Sequence, residues 1–202
     1  MTPQGPNSTM APKLILTGFM ATGKSAVGRA AAARLGWRLV DSDAALAARA
    51  GKPIPAIFSE HGEAHFRALE REVIAALADD RALCPQCGEP RPAVISTGGG
   101  ALVDERNYHV LKRAGVIICL NARPEVIAAR VRRSPHKRPK LLEGGKPLEA
   151  RIVELMEERR AAYARADFTV DTSDLSVAES AERVLEIFGH HGRSAHRCAP
   201  SA

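Results

Sequence analysis

The chain has 202 residues, 45% hydrophobic and 26% charged, which is ample for one well-cored α/β domain and too short for two large ones. Aromatic residues make up only 4%, which argues against a stacking platform for single-stranded nucleic acid, and no apolar stretch approaches the ~20 residues that span a bilayer. The net charge of +6 contains no run of five or more basic residues, so it reads as an arginine-rich solvated surface around a site for small anions, not as a nucleic-acid or membrane face.

Residues 1–11, "MTPQGPNSTMA", lack the basic flank and apolar centre of a signal peptide and read as a disordered leader in which Met10 is an alternative start. Four cysteines at uneven spacing, with no secretion signal, fit a reduced cytoplasmic setting better than a disulfide framework. The first apolar run, "KLILT" (13–17), is a predicted buried strand, and helix-forming residues follow over 24–35. Between them Gly18-x-x-x-x-Gly23-Lys24-Ser25 satisfies the P-loop pattern. Glycines let backbone N–H groups curl around phosphate oxygens, and the helix N-terminus adds positive potential. Lys24 has the reach for β/γ-phosphates and Ser25 the hydroxyl for Mg²⁺. The spacing points to a nucleoside triphosphate with Mg²⁺ and leaves the acceptor unnamed, because P-loops serve kinases, GTPases and motors alike.

The second predicted strand, "WRLVD" (37–41), ends in "DSD". Carboxylates at the C-terminal end of a parallel strand face the same crevice as the P-loop. Asp41 and Asp43, two apart, are expected on one face while the strand lasts, one assisting Mg²⁺ and the other holding an acceptor hydroxyl; helix capping is the competing role. In the helix predicted over 62–78, Phe66, Leu69, Glu70, Val73 and Leu77 share a stripe. Glu70 is the polar misfit and Arg67 lies three residues before it, within pairing distance, as a rigid guanidinium for an anionic substrate or as a surface ion pair.

Residues 79–92, "DDRALCPQCGEPRP", read as a solvent-exposed loop insertion, although Cys84-Pro-x-Cys87-Gly resembles half of a zinc knuckle. A complete zinc site would need two further ligands, from the tail (His190, His191, His196, Cys198) or a second subunit. The third strand, "AVIST" (93–97), runs into "GGGA", three glycines that suggest backbone approaching a ligand closely. A helix over 104–114, a strand over 115–120 and a helix over 123–133 follow. Residues 134–147, "SPHKRPKLLEGGKP", have no clear periodicity and read as a lid.

In the helix predicted over 148–165, Leu148, Ile152, Leu155, Met156 and Tyr163 point inward. Arg159 falls in the middle of that stripe and must have a partner, either a substrate anion or a protein carboxylate. A strand at 168–172 and a helix near 176–188 complete the pattern, and residues 190–202 read as a disordered tail. Five continuous apolar strands alternating with helices imply a parallel sheet covered on both faces, in one domain over 12–189.

Together, "GFMATGKSAVGR", "DSD", "IFSEHGEAHFRALE", "STGGGA", "KRP" and "ERRAAYARAD" resemble the shikimate kinases, in family order and over residues 13 to 188. The resemblance implies a three-layer α/β/α P-loop kinase fold, sheet order 2-3-1-4-5, with a lid. It implies ATP-dependent phosphorylation of the 3-hydroxyl of shikimate, on the way to chorismate and the aromatic amino acids. Ala21, Thr22, Gly23, Lys24, Ser25 and Ala26 would hold ATP, and Ser25 would bind Mg²⁺ with Asp41 acting through water. Asp43 would contact the acceptor hydroxyls, Arg67 and Arg159 the shikimate carboxylate, and Gly99 and Gly100 the ring through backbone donors. Arg138 matches the lid arginine over the ATP phosphates, and Arg130 an arginine beside adenine.

The sequence departs from the family at Ala21, where many members have glycine and where alanine fits if φ stays negative. It departs again at Lys140, which looks inserted after Arg-Pro in the lid. The competing functions are a kinase for another small hydroxy acid such as gluconate, and a nucleotide-binding regulatory protein without catalysis. Expected partners are a small-molecule substrate, with no nucleic acid and no membrane, for a cytoplasmic monomer.

Overall fold

The computed structural model describes residues 13–80, 91–133 and 147–191. Five parallel strands, β1 (Lys13–Gly18), β2 (Arg38–Asp41), β3 (Ala93–Ser96), β4 (Gly115–Asn121) and β5 (Phe168–Asp171), form one sheet in the order β2-β3-β1-β4-β5. The helices are α1 (Lys24–Leu35), α2 (Ser42–Ala50), α3 (Ile54–Ala78), α4 (Glu105–Ala114), α5 (Pro124–Arg132), α6 (Leu148–Glu158), α7 (Arg160–Tyr163) and α8 (Val177–His191). This is the expected fold class and strand order.

Alternation along β1 divides the core. Leu14 and Leu16 face Val27 and Ala31 of α1 and Val184 and Phe188 of α8, whereas Ile15 faces Ile74 of α3 and Leu111 of α4. Both faces of every central strand are therefore apolar, which is why the strands read as unbroken hydrophobic runs. Chain order reverses between β1 and β3, so the loops leaving their C-terminal ends part and open a crevice. The P-loop and the glycine triplet are those two loops.

Four helical segments differ from expectation. Residues 42–50 form α2, which the apolar periodicity did not reveal because only Ser42 and Leu46 are buried. The signals present were its ends: Asp41 caps α2, and Gly51 closes it in a left-handed conformation. The helix predicted from 62 begins at Ile54 and kinks at Gly62, where φ is 76° and ψ 179°. The helix predicted over 148–165 breaks at Arg159 into α6 and α7. The last helix runs to His191, two residues into the stretch read as tail. The leader, Cys84 and Cys87, Arg138 and Lys140 in the lid, and His196 and Cys198 lie outside the described residues.

Much of the positive surface is paired in place, as in Arg49–Glu72, Arg123–Asp174, Arg151–Glu154 and Arg183–Glu186. Among the described residues no helix is long and apolar enough to cross a membrane.

Candidate active site

The P-loop begins where β1 ends. Gly18 has φ 128°, and a Cβ there would lie 2.1 Å from the Leu120 carbonyl oxygen on β4, so no side chain fits. The loop turns back through Thr22, whose hydroxyl donates to the Phe19 carbonyl at 2.8 Å. It enters α1 at Gly23, left-handed with φ 99° and without a side-chain cap, which leaves the first amides of α1 for a ligand. Lys24 Nζ donates to the carbonyls of Gly18 (2.8 Å) and Phe19 (2.9 Å), so the ammonium lies inside the loop's curve.

Ala21 overturns one expectation. Its φ is 64°, the only positive φ among the described non-glycine residues, so alanine here occupies the left-handed region it was expected to avoid. The Ala21 carbonyl accepts a bond from Arg130 at 3.3 Å, and Arg130 also donates to Thr172, to its carbonyl at 2.7 Å. The Thr172 hydroxyl in turn donates toward the Thr22 carbonyl at 3.1 Å. Arg130 of α5 thus ties the strained turn to the end of β5.

At the α1 N-terminus Ser25 Oγ donates to Asp41 Oδ2 at 2.8 Å and lies 3.4 Å from Ser96 Oγ. Asp41 Oδ1 accepts the amides of Asp43 (3.0 Å) and Ala44 (3.3 Å). Asp41 therefore takes the capping role at α2 with one oxygen, while its other oxygen holds Ser25. The donor set is all oxygen, hydroxyl and carboxylate, which suits a hard divalent cation such as Mg²⁺. Donation to Asp41 leaves the Ser25 lone pairs available to ligate it.

Asp43 and Asp41 do not share a strand face, because β2 ends at Asp41 and Asp43 lies in the first turn of α2. The two remain close. Burial, and then the Asp41 charge, push the Asp43 carboxyl up to about 6, against the opposing pull of Lys24; Glu70 adds to the rise and Arg67 opposes it. One carboxylate thus senses the phosphate-loop lysine and the Arg67–Glu70 pair together.

That pair is not a surface ion pair. Glu70 is only 3% exposed, and Arg67 Nη1 donates to its Oε2 at 2.8 Å, while Nε and Nη2 donate to Glu63 at 3.3 and 3.1 Å. Burial pulls the Arg67 guanidinium down, but the bonds to Glu70 and Glu63 outweigh it and the net shift is upward. Burial raises the Glu70 carboxyl against the opposing effect of Arg67. Arg67 is a fixed cation whose Nη1 would stand 3.0 Å from a Cβ on Gly100.

Arg159, at the α6–α7 break, has φ −104° and ψ 0°. Its Nη1 donates to the Gly99 carbonyl at 3.2 Å, and its guanidinium lies 5.7 Å from the Phe19 ring centroid. Its partners are therefore a carbonyl and an aromatic face, with the Glu70 charge nearby. The crevice brings together the P-loop, Ser25, Asp41, Asp43, Arg67, Gly99, Gly100 and Arg159. Three contributors escaped the sequence reading. Ser42 accepts the Gly98 amide at 2.9 Å, Tyr163 donates to the Gly99 carbonyl at 2.6 Å, and Ser96 adjoins Ser25. Tyr163 was visible as an inward-facing residue; Ser42 and Ser96 carried no signal beyond their motif neighbours.

Comparison with known proteins points to one family. The family model described as shikimate kinase matches residues 20–188. A shikimate kinase of Geobacter metallireducens is 42% identical over 177 residues, covering 88% of this chain and 90% of its own. One from Caldanaerobacter subterraneus subsp. tengcongensis is 38% identical over 175 residues, covering 87% and 95%. The structure of a shikimate kinase from Acinetobacter baumannii in complex with shikimate superposes with a TM-score of 0.78 at 28% identity, covering 93% of this chain and 97% of that one.

Proposed function

The chain belongs to the shikimate kinase family, and from that premise we propose how its own residues perform the reaction. It is an ATP-dependent kinase that transfers a phosphoryl group to shikimate, yielding ADP and 3-phosphoshikimate.

Phosphoryl transfer requires positioning and charge neutralisation more than covalent help. Ala21 to Ala26 hold the triphosphate, with Lys24 exchanging its bonds to the Gly18 and Phe19 carbonyls for phosphate oxygens. Ser25, with Asp41 behind it, would hold Mg²⁺, which would supply charge neutralisation at the phosphates when bound. On the family resemblance, Arg130 would lie beside the adenine and Arg138 would join Lys24 at the transferring group. Arg67 and Arg159 grip the shikimate carboxylate, since planar guanidinium forks match a carboxylate. Gly99 and Gly100 present amides that no backbone acceptor takes among the described residues.

The observation that carries the acceptor assignment is Asp43: a half-buried carboxylate that senses both Lys24 and Arg67. A group so placed orients the attacking hydroxyl and accepts its proton, and a pKa near 6 leaves it ionised at neutral pH yet basic enough to serve. ADP release assayed with shikimate, gluconate and no acceptor tests the reading. Stimulation by shikimate alone is expected; equal rates in all three would overturn it.

A further inference from the structure

The glycine triplet is held from opposite sides by two side chains that the reaction itself does not require. On the α2 side, the buried Ser42 hydroxyl accepts the Gly98 amide at 2.9 Å. On the α7 side, Tyr163 donates its hydroxyl to the Gly99 carbonyl at 2.6 Å, and Arg159 Nη1 donates to that same oxygen at 3.2 Å. A peptide plane fixed at its carbonyl is fixed at its following amide as well. The Tyr163 bond at Gly99 therefore orients the Gly100 N–H. The shared oxygen also links Arg159 to the triplet, so the amide donors and a carboxylate-gripping cation are set by one anchor.

Tyr163 suits that task. Burial pushes its phenol up to about 12, so it remains a hydrogen-bond donor throughout the range in which the protein works. It occupies the last residue of the one-turn helix α7, immediately beyond the break that directs Arg159 into the crevice. Ser42 lies between the Mg²⁺-side Asp41 and the acceptor-side Asp43, and a Cβ on Gly98 would stand 2.5 Å from Asp43 Oδ1. The two anchors thus register the triplet against Asp43 on one side and Arg159 on the other.

We infer that Tyr163 and Ser42 are positioning residues that clamp the Gly98–Gly100 backbone into the geometry that binds the acceptor. This rests on the acceptor site proposed above. Lys24 is placed by the Gly18 and Phe19 carbonyls and Ser25 by Asp41, so loosening the clamp should weaken shikimate and spare the nucleotide.

Calorimetric titration of the full-length protein with shikimate and, separately, with ATP tests it. Tyr163→Phe removes only the hydroxyl, and is expected to raise the shikimate Kd about three- to tenfold, the range of one net hydrogen bond, with the ATP Kd within about twofold. Ser42→Ala should give the same pattern from the opposite side, and it carries the comparison if Tyr163→Phe folds poorly. Unchanged shikimate affinity in the folded variants, or an equal weakening of ATP, would overturn the clamp. Arg159→Ala separates the two levels of inference. If it leaves shikimate binding intact, the acceptor site itself is misassigned; if it abolishes binding while Tyr163→Phe does not weaken it, only the clamp fails.

Discussion

The Asp43 carboxylate rests against the bare Cα of Gly98: a Cβ added there would lie 2.5 Å from Oδ1, well inside contact distance. Gly98 has no left-handed φ, so alanine's effect would act chiefly through that contact, Glu70 Oε1 lying at an ordinary 3.4 Å. Gly98→Ala should therefore displace Asp43 without unfolding the chain. A misplacement on the order of 1 Å at a reacting group costs about 100-fold, so kcat should fall by about that factor while ATP affinity holds. Steady-state kinetics beside nucleotide titration checks both halves.

The elevated Asp43 pKa has a consequence for stability. Its carboxyl titrates near 6 in the folded chain against an ordinary 3.8. Between those values the folded protein holds a proton that the unfolded chain has released, so stability falls as pH rises through the interval and the full cost is present above about 6. Asp43→Asn should stabilise the unliganded protein at pH 8 by at most about 3 kcal/mol, the difference between about 6 and 3.8 converted at 1.36 kcal/mol each, and by less where water reaches the group. Denaturant unfolding at pH 8 and again below pH 3.8 should show the gain only at the higher pH.

Arg67 is held by Glu70 and Glu63, and its geometry depends on the fork they fix. Glu70→Gln keeps the shape and weakens the hold, so shikimate affinity should drop by about threefold to tenfold. Arg67→Lys loses the planar fork altogether and should cost at least about tenfold, with no effect on ATP. Shikimate titration of both variants measures the order.

Ala21 carries left-handed backbone at φ 64°. An L-residue there costs roughly 1–2 kcal/mol, and glycine relieves it at the expense of about 0.4–1 kcal/mol of extra unfolded-chain freedom. The net expectation for Ala21→Gly is a gain of about 0 to 1.6 kcal/mol, a Tm higher by up to about 6 °C. Ala21→Val, β-branched, should lower the Tm. Thermal unfolding of the pair reads the sign directly.

These residues also show where sequence reasoning succeeds. The strands were legible as short apolar runs, unbroken in β1 and β3 because these are buried on both faces, and the P-loop because glycine spacing is dictated by backbone close to phosphate. Arg67, Arg159 and Asp43 were legible as charged residues out of place on apolar patterns or beside a strand end. Helix α2 was not, since a short alanine-rich helix with two buried residues has no periodicity to display. The φ of Ala21 could not be read at all: a minimal pattern permits alanine there, and only the loop's path shows the conformation forced on it. Ser42 and Tyr163 escaped because their partners are backbone atoms of a distant loop, 56 and 64 residues away.

The assignment of Asp43 to the attacking hydroxyl is tested most directly by the turnover of Asp43→Asn with saturating shikimate and MgATP, measured beside its ATP affinity. Loss of a positioned base should lower kcat by about 100-fold or more while the ATP Kd stays within about twofold. A variant that bound ATP normally and turned over at the unmodified rate would contradict the account.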